Sequence, residues 1–120
     1  METVKYYTLR RILGGLYIAG IIIMSLTPHP VMAQYDPSRQ DVLSHFTAYF
    51  GMMLWHTLIY PARYYLRLTI IFILLGFVLE CLQGLMETRE FNALDILFNS
   101  IGVGLAWLFS KFCLTPAFSK

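Results

Sequence analysis

The stretch LRLTIIFILLGFVLECLQGL, residues 66–85, decides what kind of protein this is. It is close to the ~20 residues that a helix needs to cross ~30 Å of hydrocarbon, at ~1.5 Å per residue. It also carries Glu80 and Gln83 near its end. A carboxylate in such a run costs roughly 2.5–3.5 kcal/mol to place near the bilayer core, so it is expected to face other helices and find partners there.

Working outward, three more apolar runs of similar length occur at about Leu9–Leu26, Leu43–Tyr60 and Ala93–Cys113. The chain has 120 residues, 58% hydrophobic and only 13% charged, too few charges to cover a water-soluble sphere. The expected architecture is an all-α membrane protein, a bundle of four transmembrane helices forming one domain over residues 1–120. A net charge of +2 gives no electrostatic footprint for nucleic acid.

The basic residues set the orientation. With the N-terminus cytoplasmic, Lys5, Arg10, Arg11, Arg63, Arg67, Lys111 and Lys120 lie inside, and Arg39 and Arg89 lie outside. The positive-inside rule selects this arrangement, with both termini in the cytoplasm and the chain multi-pass in the cytoplasmic (inner) membrane. A competing reading takes Lys5, Arg10 and Arg11, the first apolar run and VMA at 31–33 as a cleaved secretory signal. Pro28 and Pro30, between that run and the cleavage position, favour a retained first helix.

The connections are mostly short. TPHPVMAQYDPSRQ (27–40) is a proline-broken external loop holding His29, whereas PARYY (61–65) and METREFN (86–92) make tight hairpins. Tyr60, Tyr64 and Tyr65 fit an interfacial aromatic belt, and His56 reads as an interfacial residue at the cytoplasmic end of helix two. Cys81 and Cys113 fall at different depths, so no disulfide is expected. Neither cysteine belongs to a zinc-type spacing, and neither a metal site nor a cofactor is expected.

The remaining polar residues are periodic. Asp41, His45 and Tyr49 recur at i, i+4 and i+8 on helix two; Glu80 and Gln83 share a face of helix three; Asp95, Asn99, Gly102 and Ala106 form a stripe on helix four. Helices two and four begin at the outer side and helix three ends there. Their polar ends, together with Arg89 in the last hairpin, therefore fall at similar depth. Taken alone, an intramembrane His is more often a hydrogen-bonded packing residue than a ligand or base.

At these residues the chain resembles the VanZ-like family of small bacterial membrane proteins. The resemblance includes SLTP (25–28), DVLSHFTAYFG (41–51), ECLQG (80–84), Arg89 and DILFNSIG (95–102). Val42 stands where the family often has Lys, which removes an outer cation, and Ala106 where it often has Gly. The family is named for a protein linked to teicoplanin resistance, so the resemblance implies a cell-envelope role; it supplies no reaction.

Three functions follow as expectations. In the first, the outer polar site binds or acts on a membrane lipid or lipid-linked envelope precursor. His45 would exchange a proton, Glu80 or Asp95 would orient it or act as the second acid or base, and Arg89 would clamp a phosphate. Asp41, Tyr49, Gln83 and Asn99 would complete the binding surface. No nucleophile is distinguished, so the sequence leaves open whether the chain is an enzyme. In the second, the same groups are interhelical glue in a scaffold. The third, a transporter or proton pathway, is disfavoured because the inner halves of the helices show no ionisable group deep in the core.

Overall fold

The computed structural model describes residues 2–27, 37–86 and 93–114, with side chains placed for 6–27, 43–86 and 93–113. These residues form four α-helices, α1 (Glu2–Leu26), α2 (Pro37–Thr57), α3 (Tyr65–Gly84) and α4 (Ala93–Phe109). A 3-10 turn at Ala62–Tyr64 leads into α3, and a wider π-type turn at Ser110–Leu114 ends α4.

The helix limits follow local chemistry. Helix α2 starts at Pro37, ahead of the apolar run, because proline has no amide hydrogen to lose in a first turn and its φ is already helical. It ends at Thr57, short of Tyr60, since the chain must leave the α region before Pro61; Leu58, Ile59 and Tyr60 amides close that end on Trp55 and His56 carbonyls. Helix α1 extends to Glu2, several residues before its apolar run begins.

Three helical stretches are long and apolar enough to cross a membrane: Tyr6–Leu26, Ala62–Gly84 and Ala93–Cys113. Helix α2 matches them in length at 21 residues, but Ser38, Arg39, Gln40, Asp41, Ser44 and His45 make its first half polar. Its second half is instead the enclosed part of the bundle. From Leu43 to Thr57 only Leu43, Ser44 and Thr47 are exposed, whereas in α1 only Gly14 and Ile21 are buried among residues 6–26.

Helices α2 and α4 run parallel, and α3 runs antiparallel to both. The first pair meets backbone to backbone at Gly102, where a Cβ would stand 2.6 Å from the Phe46 carbonyl oxygen and 3.1 Å from the Phe50 nitrogen. Small residues permit such approaches in lipid, where dispersion and polar contacts replace the hydrophobic drive between helices. Around this crossing Met52, Met53, Phe72, Val103 and Ala106 are buried and fill the middle of the seam between α2, α3 and α4.

Helix α1 lies outside this trio and is held by three polar tethers along its length. The Trp55 indole donates to the Arg10 carbonyl (3.1 Å), the Tyr17 hydroxyl to the Ala48 carbonyl (3.0 Å) and the Gln83 amide to the Ser25 carbonyl (2.8 Å). The outer faces of α3 and α4 expose Ile70, Leu74, Phe77, Leu97, Leu105 and other large apolar side chains. An apolar surface of this extent calls for lipid as its solvent.

The end of the bundle away from the polar stripe carries basic residues on aromatic rings. Arg63 and Arg67 lie over Tyr64 at 4.8 and 5.8 Å, and Lys111 lies 5.9 Å from the Trp107 ring. Two expectations for this end need correction. Tyr65 is 4% exposed, with its hydroxyl donating to the Thr57 carbonyl at 3.0 Å, so it is a core residue rather than part of a belt. His56 is likewise buried: its Nδ1 pairs with the Met52 carbonyl at 2.7 Å, its ring meets Phe72 edge-on, and a Cβ on Gly14 would lie 2.9 Å from its Nε2. An imidazole one turn from its own helix carbonyl can satisfy a donor locally, which lets it leave the interface.

Candidate functional site

Helical periodicity puts Asp95 and Asn99 on one face of α4 and His45 and Tyr49 on one face of α2. Antiparallel to them, Glu80 and Gly76 occupy the matching face of α3. Close packing brings these three faces together in two consecutive layers at the end of the bundle where α2 and α4 begin and α3 finishes.

The upper layer contains His45, Glu80 and Asp95. One nitrogen or oxygen of each lies within 4.8 Å of the other two, and His45 Nε2 stands 3.9 Å from Asp95 Oδ2. Glu80 and Asp95 are 1% and 3% exposed, and the His45 side chain 14%. With these atoms all within 4.8 Å of one another, two ionised carboxylates would repel by at least about 3.5 kcal/mol at an effective dielectric constant of ~20.

The lower layer is one turn deeper and consists of Tyr49, Gly76 and Asn99. A Cβ at Gly76 would stand 2.9 Å from Asn99 Nδ2 and 3.2 Å from the Tyr49 ring, so the glycine makes room for both side chains. Asn99 is 2% exposed, and its carbonyl oxygen is buried without a hydrogen bond among the described residues. Below it the Met52, Met53, Phe72, Val103 and Ala106 layer closes the seam with apolar atoms.

The other expected site residues stand differently. Gln83 donates its amide to the Ser25 carbonyl, so it ties α3 to α1 instead of facing the layer of acids. Arg89 lies outside the described residues, as do Glu87, Glu90 and His29; Asp41 is within α2, but its side chain is outside those described. The phosphate-clamping role read for Arg89 therefore has no geometry here.

Sequence reading missed two features. It found no metal-type spacing, because His45, Glu80 and Asp95 come from three helices and no linear pattern connects them. It also missed a polar cluster beyond the apolar layer. There the Thr57 and Ser110 hydroxyls are 2.6 Å apart, the Thr57 hydroxyl donates to the Leu54 carbonyl (2.7 Å), and the Thr69 hydroxyl donates to the Tyr65 carbonyl (2.9 Å). Together with His56 this gives the inner half of the bundle a buried ionisable group that sequence reading had placed at the interface. The signal was the occurrence of Thr57, Thr69 and Ser110 within or beside apolar runs, where hydroxyls seek interhelical or backbone partners.

No family model, no curated protein and no solved structure matches this chain.

Proposed function

We propose that this chain is a four-span protein of the bacterial cytoplasmic membrane, with both termini in the cytoplasm, and that the end of the seam holding His45, Glu80 and Asp95 binds the polar headgroup of a lipid or lipid-linked cell-envelope component. The observation that carries the proposal is the convergence of three ionisable side chains from three helices within 4.8 Å, nearly out of contact with solvent. Ionisable groups in a lipid-facing bundle are expensive and tend to mark a functional site.

Four spans and their direction are supported by composition and charge. Helix α2 is as long as the apolar helices and is enclosed by its neighbours, which permits polar residues in a spanning segment. Arg10, Arg11, Arg63, Arg67 and Lys111 gather at the end opposite the polar layers, where the positive-inside rule places the cytoplasm. In a chain with both native cysteines replaced by alanine, Arg63→Cys should react with a membrane-impermeant maleimide only after the cytoplasmic face is opened. Labelling in intact cells would reverse the orientation.

The headgroup reading is tested by native mass spectrometry of the detergent-released chain beside a Glu80→Gln, Arg89→Ala variant. A co-purifying phospholipid or polyprenyl phosphate, lost in the folded variant, is the expected result. Retention of the same lipid by both would place it on the apolar outer surface and refute the site. The resemblance to the VanZ-like family adds a phenotype: expression in a susceptible host should change tolerance to teicoplanin, and the same variant should abolish that change.

The scaffold reading rests on the other end of the bundle. The Thr57–Ser110 contact and the Tyr65 bond to Thr57 are interhelical polar contacts without a carboxylate or imidazole, of the kind that holds helices together. The apolar layer between the two polar clusters argues against a proton path, since it separates His45 from His56 by about three turns of α2.

A further inference from the structure

We infer that His45, Glu80 and Asp95 bind a divalent first-row transition metal ion, with the Asn99 carbonyl oxygen in the layer beneath as an additional polar group for the ion or its water. The inference rests on ligand geometry and stands apart from the headgroup reading.

The donor set is one imidazole and two carboxylates, a mixture that suits zinc, iron, cobalt or manganese, whereas calcium and magnesium sites are built from oxygen ligands. Bonds of about 2.0–2.2 Å to four tetrahedral ligands place those ligands about 3.4 Å from one another. The His45–Asp95 pair already stands at 3.9 Å and every pair lies within 4.8 Å, so side-chain rotation of the order of 1 Å closes the set. No helix has to move. Each ligand comes from a different helix, so the site exists only in the assembled bundle and binding should stabilise that assembly.

Charge and hydrogen bonding point the same way. A dication neutralises the two carboxylates in a place where water screens poorly. Asn99 is the second observation: its amide is almost wholly buried in the same seam, and its carbonyl oxygen makes no hydrogen bond among the described residues. A buried carbonyl without a donor is costly, and a metal-bound water one turn above it would supply the missing donor. Three protein ligands leave coordination positions open to water or to an anionic group, as in sites where the metal takes part in binding.

The test uses the full chain, purified in detergent without a histidine tag, stripped with chelator, and with Cys81 and Cys113 replaced by alanine because both are exposed free thiols. Cobalt(II) is added alone and followed by its visible d–d absorption, with zinc(II) as competitor and thermal unfolding as a second readout. The expected result is a saturable cobalt spectrum at a single equivalent, displaced by zinc, and a higher Tm in the loaded protein. His45→Ala, and separately the near-isosteric Asp95→Asn and Glu80→Gln, should weaken binding beyond the 10–100-fold associated with loss of an outer-shell partner. Asn99→Ala should weaken it less. His56→Gln, which alters the other buried histidine, should leave it unchanged. Circular dichroism and size-exclusion profiles identify variants that fold.

Absence of saturable cobalt binding by the folded chain overturns the inference. Binding that survives His45→Ala and Asp95→Asn, or disappears in folded His56→Gln, overturns it also. These assays contain no added lipid, so their failure leaves the headgroup reading to its own test, and failure of the lipid experiment leaves the metal site standing.

Discussion

Substituting Gly102 by alanine should open the bundle, while the same change at Gly104 should not. At Gly102 the new methyl would meet backbone atoms, the Phe46 carbonyl oxygen at 2.6 Å and the Phe50 nitrogen at 3.1 Å, which have no rotamer to yield. Bringing the closer contact to an ordinary 3.4 Å separates α2 from α4 by about 0.8 Å at their crossing. Overpacking of this kind costs about 1–3 kcal/mol, and replacing glycine in a helix returns up to ~1 kcal/mol, so a net loss of about 1–2 kcal/mol is expected. At Gly104 nothing lies within 4 Å of the added carbon, which leaves only the helix-propensity gain. Reversible SDS unfolding in mixed micelles, followed by circular dichroism, measures both. Asp95 lies two turns away on the same helix, so Gly102→Ala should also weaken cobalt binding. Equal stability changes for the two alanines would refute the backbone-contact argument, as would a neutral Gly102→Ala.

Two further perturbations separate the remaining contacts. Because the Thr57 and Ser110 hydroxyls stand 2.6 Å apart, a double-mutant cycle with Thr57→Val and Ser110→Ala should show a coupling of about 0.6–1.7 kcal/mol in the same assay. A coupling near zero would mean the hydroxyls find other partners. Gln83→Leu removes the tether from α3 to the end of α1, and a loss of about 1 kcal/mol should speed amide exchange about fivefold around residues 22–27 while the α2–α4 crossing keeps its protection. Exchange that rises across all helices would show Gln83 to be part of the central packing instead.

What the amino-acid sequence determined by itself is the medium and the grouping of residues along each helix. Apolar runs near the span of a bilayer are legible because length and hydropathy are properties of one segment, and the stripe Asp95–Asn99–Gly102–Ala106 is legible because a helix repeats every 3.6 residues. Alternation of direction between successive helices placed Glu80 near the depth of His45 and Asp95. Partner choice was decided only in three dimensions. Gln83 shares a face with Glu80, yet almost a turn farther along α3 its amide reaches the α1 carbonyl of Ser25; His56, at the end of α2, turns inward because Gly14 leaves room for its ring. Helix α2 has a polar first half, and its middle is packed against α4 through the backbone contact at Gly102. Periodicity fixes which residues share a side of one helix. Which side meets which neighbour, and hence that one imidazole and two carboxylates meet within 4.8 Å, depends on how closely the backbones approach across the seam.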